Sequence, residues 1–381
     1  MRKLVHITTV AHSLGFLRGQ PDFMAQRGFQ IAAITSPGEH VAPMAEELQI
    51  PIHTVEMPRS ITPLQDLKAV ARMTRLLRNL SPDIVHSHTP KGGLLGVISA
   101  TLADVPVRFY HMRGLPFETM GGVKKNLLRM TETVSCTMAH QVVAVGNSIR
   151  TTAVNAGIVP PEKIKVLADG SGQGVDAQGR FNPRRFDQQH ADSVRNQLGL
   201  PEGATVVGFI GRLVRDKGII ELAEAFRRVQ QEFESAHLLV IGPFEKRDPV
   251  PDRIRRLLKE NPRVHLAGFR EDVDRLYPVM DLVVLPTHRE GFPNTPLEAA
   301  AMELPVVVSD IGPCKEAVVP GETGLCFSVG DVDALAETLA TYLGDPQLRE
   351  DHGRAGRERV LDKFLPQRIW EELARLYEEH L

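Results

Sequence analysis

Short apolar runs alternate with amphipathic stretches along nearly the whole chain, and this alternation constrains the fold more than any other feature. "KLVHITTV", "FQIAAIT", "IPIHTVEM", "DIVHSH", "VRFYHM" and "QVVAVG" read as strands in the first half. "TVVGFIG", "HLLVIG", "VHLAG", "DLVVLP" and "PVVVSD" follow in the second. Between them, segments such as "LQDLKAVARMTRLLRNL" and "GIIELAEAFRRVQQEF" place apolar residues at helical spacing. Strand, helix, strand repeated in this way predicts a parallel sheet with helices on both faces.

A chain of 381 residues exceeds one ordinary hydrophobic core, so two such domains are expected. Residues 171–190, with Gly172, Gly174, Gly179, a Pro and no sustained apolar period, read as the linker. Residues 1–170 and 191–365 are then two doubly wound, Rossmann-like α/β domains facing across a cleft. Ligands are expected at the carboxyl ends of their strands. The helical stretch 366–381 is a candidate to pack back on the first domain.

Composition excludes more than it selects. With 42% apolar and 24% charged residues, extensive disorder is disfavoured, and 5% aromatics leave few stacking platforms for single-stranded nucleic acid. The first residues lack a signal-peptide h-region, no apolar window is long enough to cross a bilayer, and the three cysteines are scattered. The expected location is the cytoplasm. Up to Asp169 the chain carries 18 Lys+Arg against 12 Asp+Glu; the remainder carries 27 against 35. That asymmetry points to different partners for the two halves.

Cofactor motifs fail. A dinucleotide fold needs G-x-G-x-x-G between a strand and a helix, but "DGSGQG" runs into "VDAQGRFNP", and no P-loop is present. What remains lies just after strands of the second half. In "GFIGRLVRDKG", Arg212 and Lys217 flank a turn into a helix, where two cations oppose the macrodipole unless an anion sits there. In "THREGFPNTPLEAAAMELPVVVSD", seven residues separate Glu290 from Glu298. Thr295-Pro-Leu-Glu298 also fits a capping box, with Thr295 at the N-cap and Pro296 at N1. Two Asp-x-Asp strings, Asp272 to Asp274 and Asp331 to Asp333, stand at predicted helix starts and read as caps.

These motifs resemble the retaining GT-B glycosyltransferases of family 4. "GRLVRDKG", "LAGFREDV" and "REGFPNTPLEAAAMELPVVVSD" carry the resemblance in the second half. "HSHTPKGGLLGVISATLADVPVRFYHMRGLPFE" carries it in the first and is similar to the branch that builds capsule, exopolysaccharide and O-antigen units. The resemblance implies Arg212 and Lys217 on the donor's diphosphate, Glu290 on the transferred sugar and Glu298 on the ribose. It also implies backbone contacts from Gly291, Phe292, Pro293, Asn294, Thr295 and Leu297, with Phe269 beside a uracil base. Glu298 would then turn outward to the ribose while Thr295 keeps the cap. No metal and no cofactor are implied, and the reaction needs no enzyme nucleophile.

On the acceptor side the candidates are His88, Lys91, His111 and Arg113. Where many members of the family carry a histidine near the reaction centre this chain has Arg113, with His111 two residues earlier, and either could supply the polar group. His86 and His88 are expected to alternate, so that only one faces the cleft. Lys124, Lys125 and Arg129, in "GGVKKNLLRMTETVSC", read either as a solvated helix face or as a surface lying on anionic lipid.

The expected activity is transfer of a sugar from a nucleotide sugar, a UDP-sugar by preference, to a polyprenyl-diphosphate-linked saccharide, with peripheral attachment to the cytoplasmic membrane face. A UDP-sugar 2-epimerase of the same architecture and a non-catalytic sugar-nucleotide-binding scaffold are the alternatives.

Overall fold

A computed structural model of the chain describes residues 1–58, 60–245 and 248–381. The chain divides into two compact units, Met1–Gln173 with Pro366–Leu381, and Gly174–Leu365.

The first unit holds strands β1 (Arg2–Ile7), β2 (Phe29–Thr35), β3 (Ile52–Thr54), β4 (Ile84–His88), β5 (Val107–Met112), β6 (Gln141–Ala144) and β7 (Ile164–Val166). Its helices are α1 (Gln20–Ala25), α2 (Val41–Leu48), α3 (Pro63–Leu80), α4 (Pro90–Leu102), α5 (Gly122–Met138) and α6 (Asn147–Asn155). The strands form one parallel sheet in the order β3-β2-β1-β4-β5-β6-β7. The direction of winding reverses between β1 and β4, the switch point at which such sheets open a crevice.

The second unit begins with α7 (Gln188–Leu198) and continues through β8 (Thr205–Ile210), α8 (Ile219–Glu232), β9 (Ala236–Ile241), α9 (Asp252–Glu260) and β10 (Val264–Gly268). It ends with β11 (Leu282–Leu285), α10 (Asn294–Ala301), β12 (Val306–Ser309), α11 (Gly312–Ala317), β13 (Gly324–Phe327), α12 (Val332–Gly344) and α13 (Pro346–Lys363). Its parallel sheet runs β10-β9-β8-β11-β12-β13, with the switch between β8 and β11. The two doubly wound α/β units agree with the fold class expected from the sequence pattern.

Every strand predicted from its apolar run is present, and β7 and β13 are additional. Both close an edge of their sheet. β7 is three residues long and puts Lys165 among its members, so no apolar run announces it.

Each sheet buries both faces, which is why the strands read as continuous apolar runs. In the first unit, Val5, Ile7, Val85 and Leu95 pack with Val70, Met73 and Leu77 of α3 on one face. On the other face, Leu4, Phe29, Ile84 and Phe109 pack beneath Ile369, Trp370, Leu373 and Tyr377. Those last four belong to α14 (Pro366–Glu378), the helix that ends the chain. Its apolar stripe would otherwise face water, and docking on this sheet face resolves that.

From Gly174 onward the glycine-rich stretch is fastened within the second unit. Asp176 accepts from the backbone N–H groups of Gly179 and Arg180 at 2.8 and 2.7 Å, and Arg180 reaches Asp274 at 3.0 Å.

Candidate functional site

The motif residues of the second unit gather at the carboxyl ends of β8 and β11, the two strands on either side of its switch point. After β8 the chain makes a short turn, Arg215–Lys217, and enters α8 through Gly218. Gly218 has φ +68°, and a Cβ there would lie 1.8 Å from the carbonyl oxygen of Pro286, the residue after β11. Only glycine allows so close an approach. The approach lets Asp216 bind the segment after β11. Its carbonyl accepts from the His288 N–H at 2.9 Å and the Thr287 hydroxyl at 3.1 Å, and its carboxylate pairs with Arg289 at 2.9 Å.

This lacing brings Lys217 and Glu290 together as an ion pair, with 18% and 13% of their side chains exposed. Arg212 stands at the rim, half exposed, with its guanidinium 3.1 Å from Glu245. Gly291, Phe292 and Pro293 then turn the chain into α10, whose first backbone N–H groups have no intrahelical acceptor. A lysine held at the turn that leads into a helix N-terminus, with an arginine at the rim, is a setting that can hold the oxygens of a phosphate.

The capping box does not form. Pro293, not Thr295, is the N-cap of α10, and no side chain caps it. The helix begins at Asn294, so Pro296 falls at N3, where its missing N–H is also costless because the first four amides have no partner within the helix. The capping pattern is therefore satisfied by a helix that starts earlier. Glu298, freed from that role, accepts a hydrogen bond from the Tyr277 hydroxyl at 3.0 Å. Tyr277 is fully buried, and burial together with the Glu298 carboxylate pushes its pKa well above the usual phenol value. The tyrosine fixes the glutamate's direction, and no motif in the sequence pointed to it. Phe269, after β10, keeps 54% of its surface exposed.

The Asp-x-Asp strings differ from one another. Asp331 caps α12, accepting from the Asp333 and Ala334 N–H groups at 3.0 Å. Asp272 does not cap. It takes a two-point hydrogen bond from Arg270 at 2.7 Å, and Asp274 faces Arg180. The Arg270 guanidinium fork matches both oxygens of Asp272 and offers that carboxylate more than a short 3-10 turn does, while Asp274 meets Arg180 through one oxygen.

The first unit carries a second polar group, at the carboxyl end of its sheet. His6 on β1 pairs in register with His86 on β4, and His88 pairs with His111 on β5. His86 and His88 do not alternate. Residues two apart on a strand share a face, and their rings stack 4.3 Å apart, both buried. All four imidazoles are held neutral well below the usual histidine pKa, His6 at about 3, by burial first and then by neighbouring imidazoles and Arg113.

His6 Nδ1 lies 2.9 Å from His88 Nε2, and His86 Nδ1 lies 2.5 Å from the Tyr377 hydroxyl. Among the described residues, His6 Nε2, His86 Nε2 and both nitrogens of His111 have no hydrogen-bond partner. Ligand nitrogens of His6, His86 and His88 fall within 4.8 Å of one another. No carboxylate stands among them, however, and Arg113 brings a positive charge that opposes a cation there.

Arg113 stacks on Phe16 at 3.9 Å and donates to His88 Nδ1 and the Gly172 carbonyl, each at 3.4 Å. It has no acidic partner among the described residues, and burial lowers its pKa to about 9. Lys91, by contrast, is committed: it pairs with Asp66 at 2.6 Å and donates to the Ser60 carbonyl. Lys124 and Lys125 are exposed on α5, while Arg129 is half-buried and donates to the Ala156 carbonyl at 2.6 Å. A cavity of 470 Å³ beside β7 and α14 shares no residue with either polar group.

Known proteins match this arrangement along its whole length. Residues 191–359 match the model of glycosyl transferases group 1, and residues 23–170 match a glycosyl transferase 4-like domain. The capsular polysaccharide biosynthesis glycosyltransferase CapM of Staphylococcus aureus is 34% identical over 380 residues, covering 100% of this chain and 98% of its own. The chain belongs to glycosyltransferase family 4.

An Escherichia coli UDP-Gal:alpha-D-GlcNAc-diphosphoundecaprenol alpha-1,3-galactosyltransferase is 27% identical to the transferase, over 76% of this chain and 74% of its own. Among solved structures, Anabaena Alr3699/HepE in complex with UDP and glucose superposes with a TM-score of 0.83 at 20% identity, each chain covered in full. That likeness carries the GT-B fold of the transferase.

Proposed function

We propose that the transferase moves a sugar from a UDP-sugar, with retention of configuration, to a polyprenyl-diphosphate-linked saccharide in the building of a surface polysaccharide. The observation that carries this reading is the gathering of Arg212, Lys217, Glu290, Glu298 and the α10 N-terminus at one switch point. Departure of a nucleoside diphosphate develops charge on its leaving oxygens. Fixed cations and backbone N–H groups aimed at those oxygens favour the transition state over the ground state.

Glu290 is engaged with Lys217, which suits a carboxylate that orients sugar hydroxyls while its partner holds phosphate. Glu298, aimed by Tyr277, is the residue for the ribose. No enzyme nucleophile and no resident metal enter this scheme: the donor's own phosphate oxygen takes the acceptor proton. Asp272 and Asp274, the acids of one Asp-x-Asp string, each face an arginine. Arg113, a cation without an acidic partner among the described residues, is the residue for the acceptor's diphosphate.

The lipid-linked acceptor finds support in the relatives. One is the Escherichia coli enzyme, and another is a Campylobacter jejuni N,N'-diacetylbacillosaminyl-diphospho-undecaprenol alpha-1,3-N-acetylgalactosaminyltransferase, 28% identical over 82% of this chain.

A thermal-shift screen of nucleotide sugars tests the donor, since a ligand at 100 times its Kd stabilises by about 2.7 kcal/mol. The expected hit is a UDP-sugar; preference for GDP-mannose would overturn the donor assignment. Transfer from that donor to an undecaprenyl-diphosphate-linked saccharide, with the anomeric configuration read by NMR, tests the rest. An inverted product would refute retention, and an epimerised nucleotide sugar formed without acceptor would replace the whole reading.

A further inference from the structure

Crossover helices in a parallel sheet begin where the preceding strand ends, so α3 and α5 both start at the carboxyl edge of the first unit's sheet. They lie on the same sheet face, each packed against α4 between them. Apart from Met1, the five most exposed large apolar side chains of the described residues all lie here. Ile61, Leu64 and Leu67 stand at the start of α3, 56%, 79% and 68% exposed; Val123 and Met130 on α5 are 86% and 58% exposed.

Behind the leucines, the outer face of α3 carries Lys68, Arg72 and Arg75, all exposed. Leu64, Lys68, Arg72 and Arg75 fall on one stripe of the helix, opposite buried Val70, Met73 and Leu77. None of the three cations forms an ion pair among the described residues, and the helix's one acid, Asp66, is taken by Lys91. Lys124 and Lys125 add charge at the tip of α5. The inner face of α5 is anchored separately, by the buried Glu132 accepting from the Tyr110 hydroxyl at 2.6 Å.

We propose that the tips of α3 and α5 form a docking surface for an anionic lipid bilayer, with Ile61, Leu64, Leu67 and Val123 entering the headgroup region and Lys68, Arg72, Arg75, Lys124 and Lys125 facing lipid phosphates. Charge selects this occupant. A protein partner of ordinary character would cover the leucines, but a row of unpaired cations behind them fits a surface of many phosphates. The surface borders the carboxyl edge that holds Arg113, so docking delivers a lipid-linked diphosphate to the edge where that cation waits. This inference rests on the proposed lipid-linked acceptor, and it moves the main contact from α5 to α3.

Vesicle flotation tests it with the full chain. The expected result is co-flotation with phosphatidylglycerol–phosphatidylcholine vesicles, weakened by salt, and none with phosphatidylcholine alone. Each basic residue near an anionic surface is worth about fivefold in partition, so Lys68→Gln/Arg72→Gln/Arg75→Gln should lose about a hundredfold. Leu64→Ser/Leu67→Ser should lose about tenfold or more.

Equal binding to neutral vesicles, no binding, or variants that float like the wild type would overturn the proposal. So would a dimer that Leu64→Ser/Leu67→Ser converts to monomer. The lipid and salt comparisons need no variant, so misfolding cannot mask the answer. Transfer to a detergent-dispersed lipid-linked acceptor without flotation defeats the docking surface alone. Flotation with transfer only to free saccharides supports docking and defeats the acceptor assignment.

Discussion

The ion pair between Lys217 and Glu290 can be read as a structural clasp or as two catalytic groups resting on each other, and removing it entirely separates the two. Breaking a buried pair by deleting one partner costs about 3–5 kcal/mol, because a charge is left without compensation. With 18% and 13% of the side chains still in water, the lower end, about 3 kcal/mol, applies to Lys217→Met or Glu290→Met alone. For a unit of this size that is a fall of about 6–12 °C in Tm.

Replacing both partners by methionine restores apolar complementarity, and the Tm should return to within a few degrees of the wild type. The rate should not return. Removing Lys217 from the developing charge costs about 100 to 1,000-fold, and the double variant should be at least as slow as Lys217→Met. Melting curves and product formation from the donor identified by thermal shift, measured on all four proteins, complete the cycle. A double variant that recovers both Tm and a rate within about threefold of wild type would refute the catalytic assignment and leave only a clasp.

The imidazole cluster predicts acid sensitivity. His6 is held at about 3 against an ordinary 6.5, so the unfolded chain takes up a proton that the folded one refuses. Its contribution is present above pH 6.5 and is lost as the pH falls towards 3, by about 2 kcal/mol between pH 7 and 5 for this one residue. Urea melts of His6→Gln at the two pH values should show a pH dependence smaller by about one proton; an unchanged dependence would sink the assignment. At the other site, Glu298→Gln should weaken nucleotide binding about 10 to 100-fold, the size of a lost charge-assisted hydrogen bond, while Tyr277→Phe should cost less than about tenfold. Titration calorimetry with the nucleotide checks both, and equal affinity for Glu298→Gln and wild type would remove Glu298 from the ribose.

The sequence alone determined the class of fold and the family, because both are written in local patterns. A parallel sheet buried on both faces demands continuous apolar runs, and the motifs after β8 and β11 are loops at strand ends, each legible within its own stretch of sequence. Thus "GRLVRDKG" and "REGFPNTPLE" could be placed without coordinates. The edge strands β7 and β13 escaped because an edge position relaxes the apolar requirement. The helix start at Asn294 escaped because a proline tolerated at N1 is tolerated at N3 as well.

What only the tertiary structure decided are the relations between distant segments. Tyr277 aims Glu298 from 21 residues away, and Gly218 lets the Asp216 turn close on the end of β11. Four histidines from three strands form one neutral stack only because sheet register lines them up, with Tyr377 of the last helix arriving to bond one of them. Register and crossover packing are properties of the assembled sheet, and no window of sequence contains them. The same packing leaves the leucines and cations of α3 facing outward together, on a helix whose sequence alone reads as an ordinary crossover.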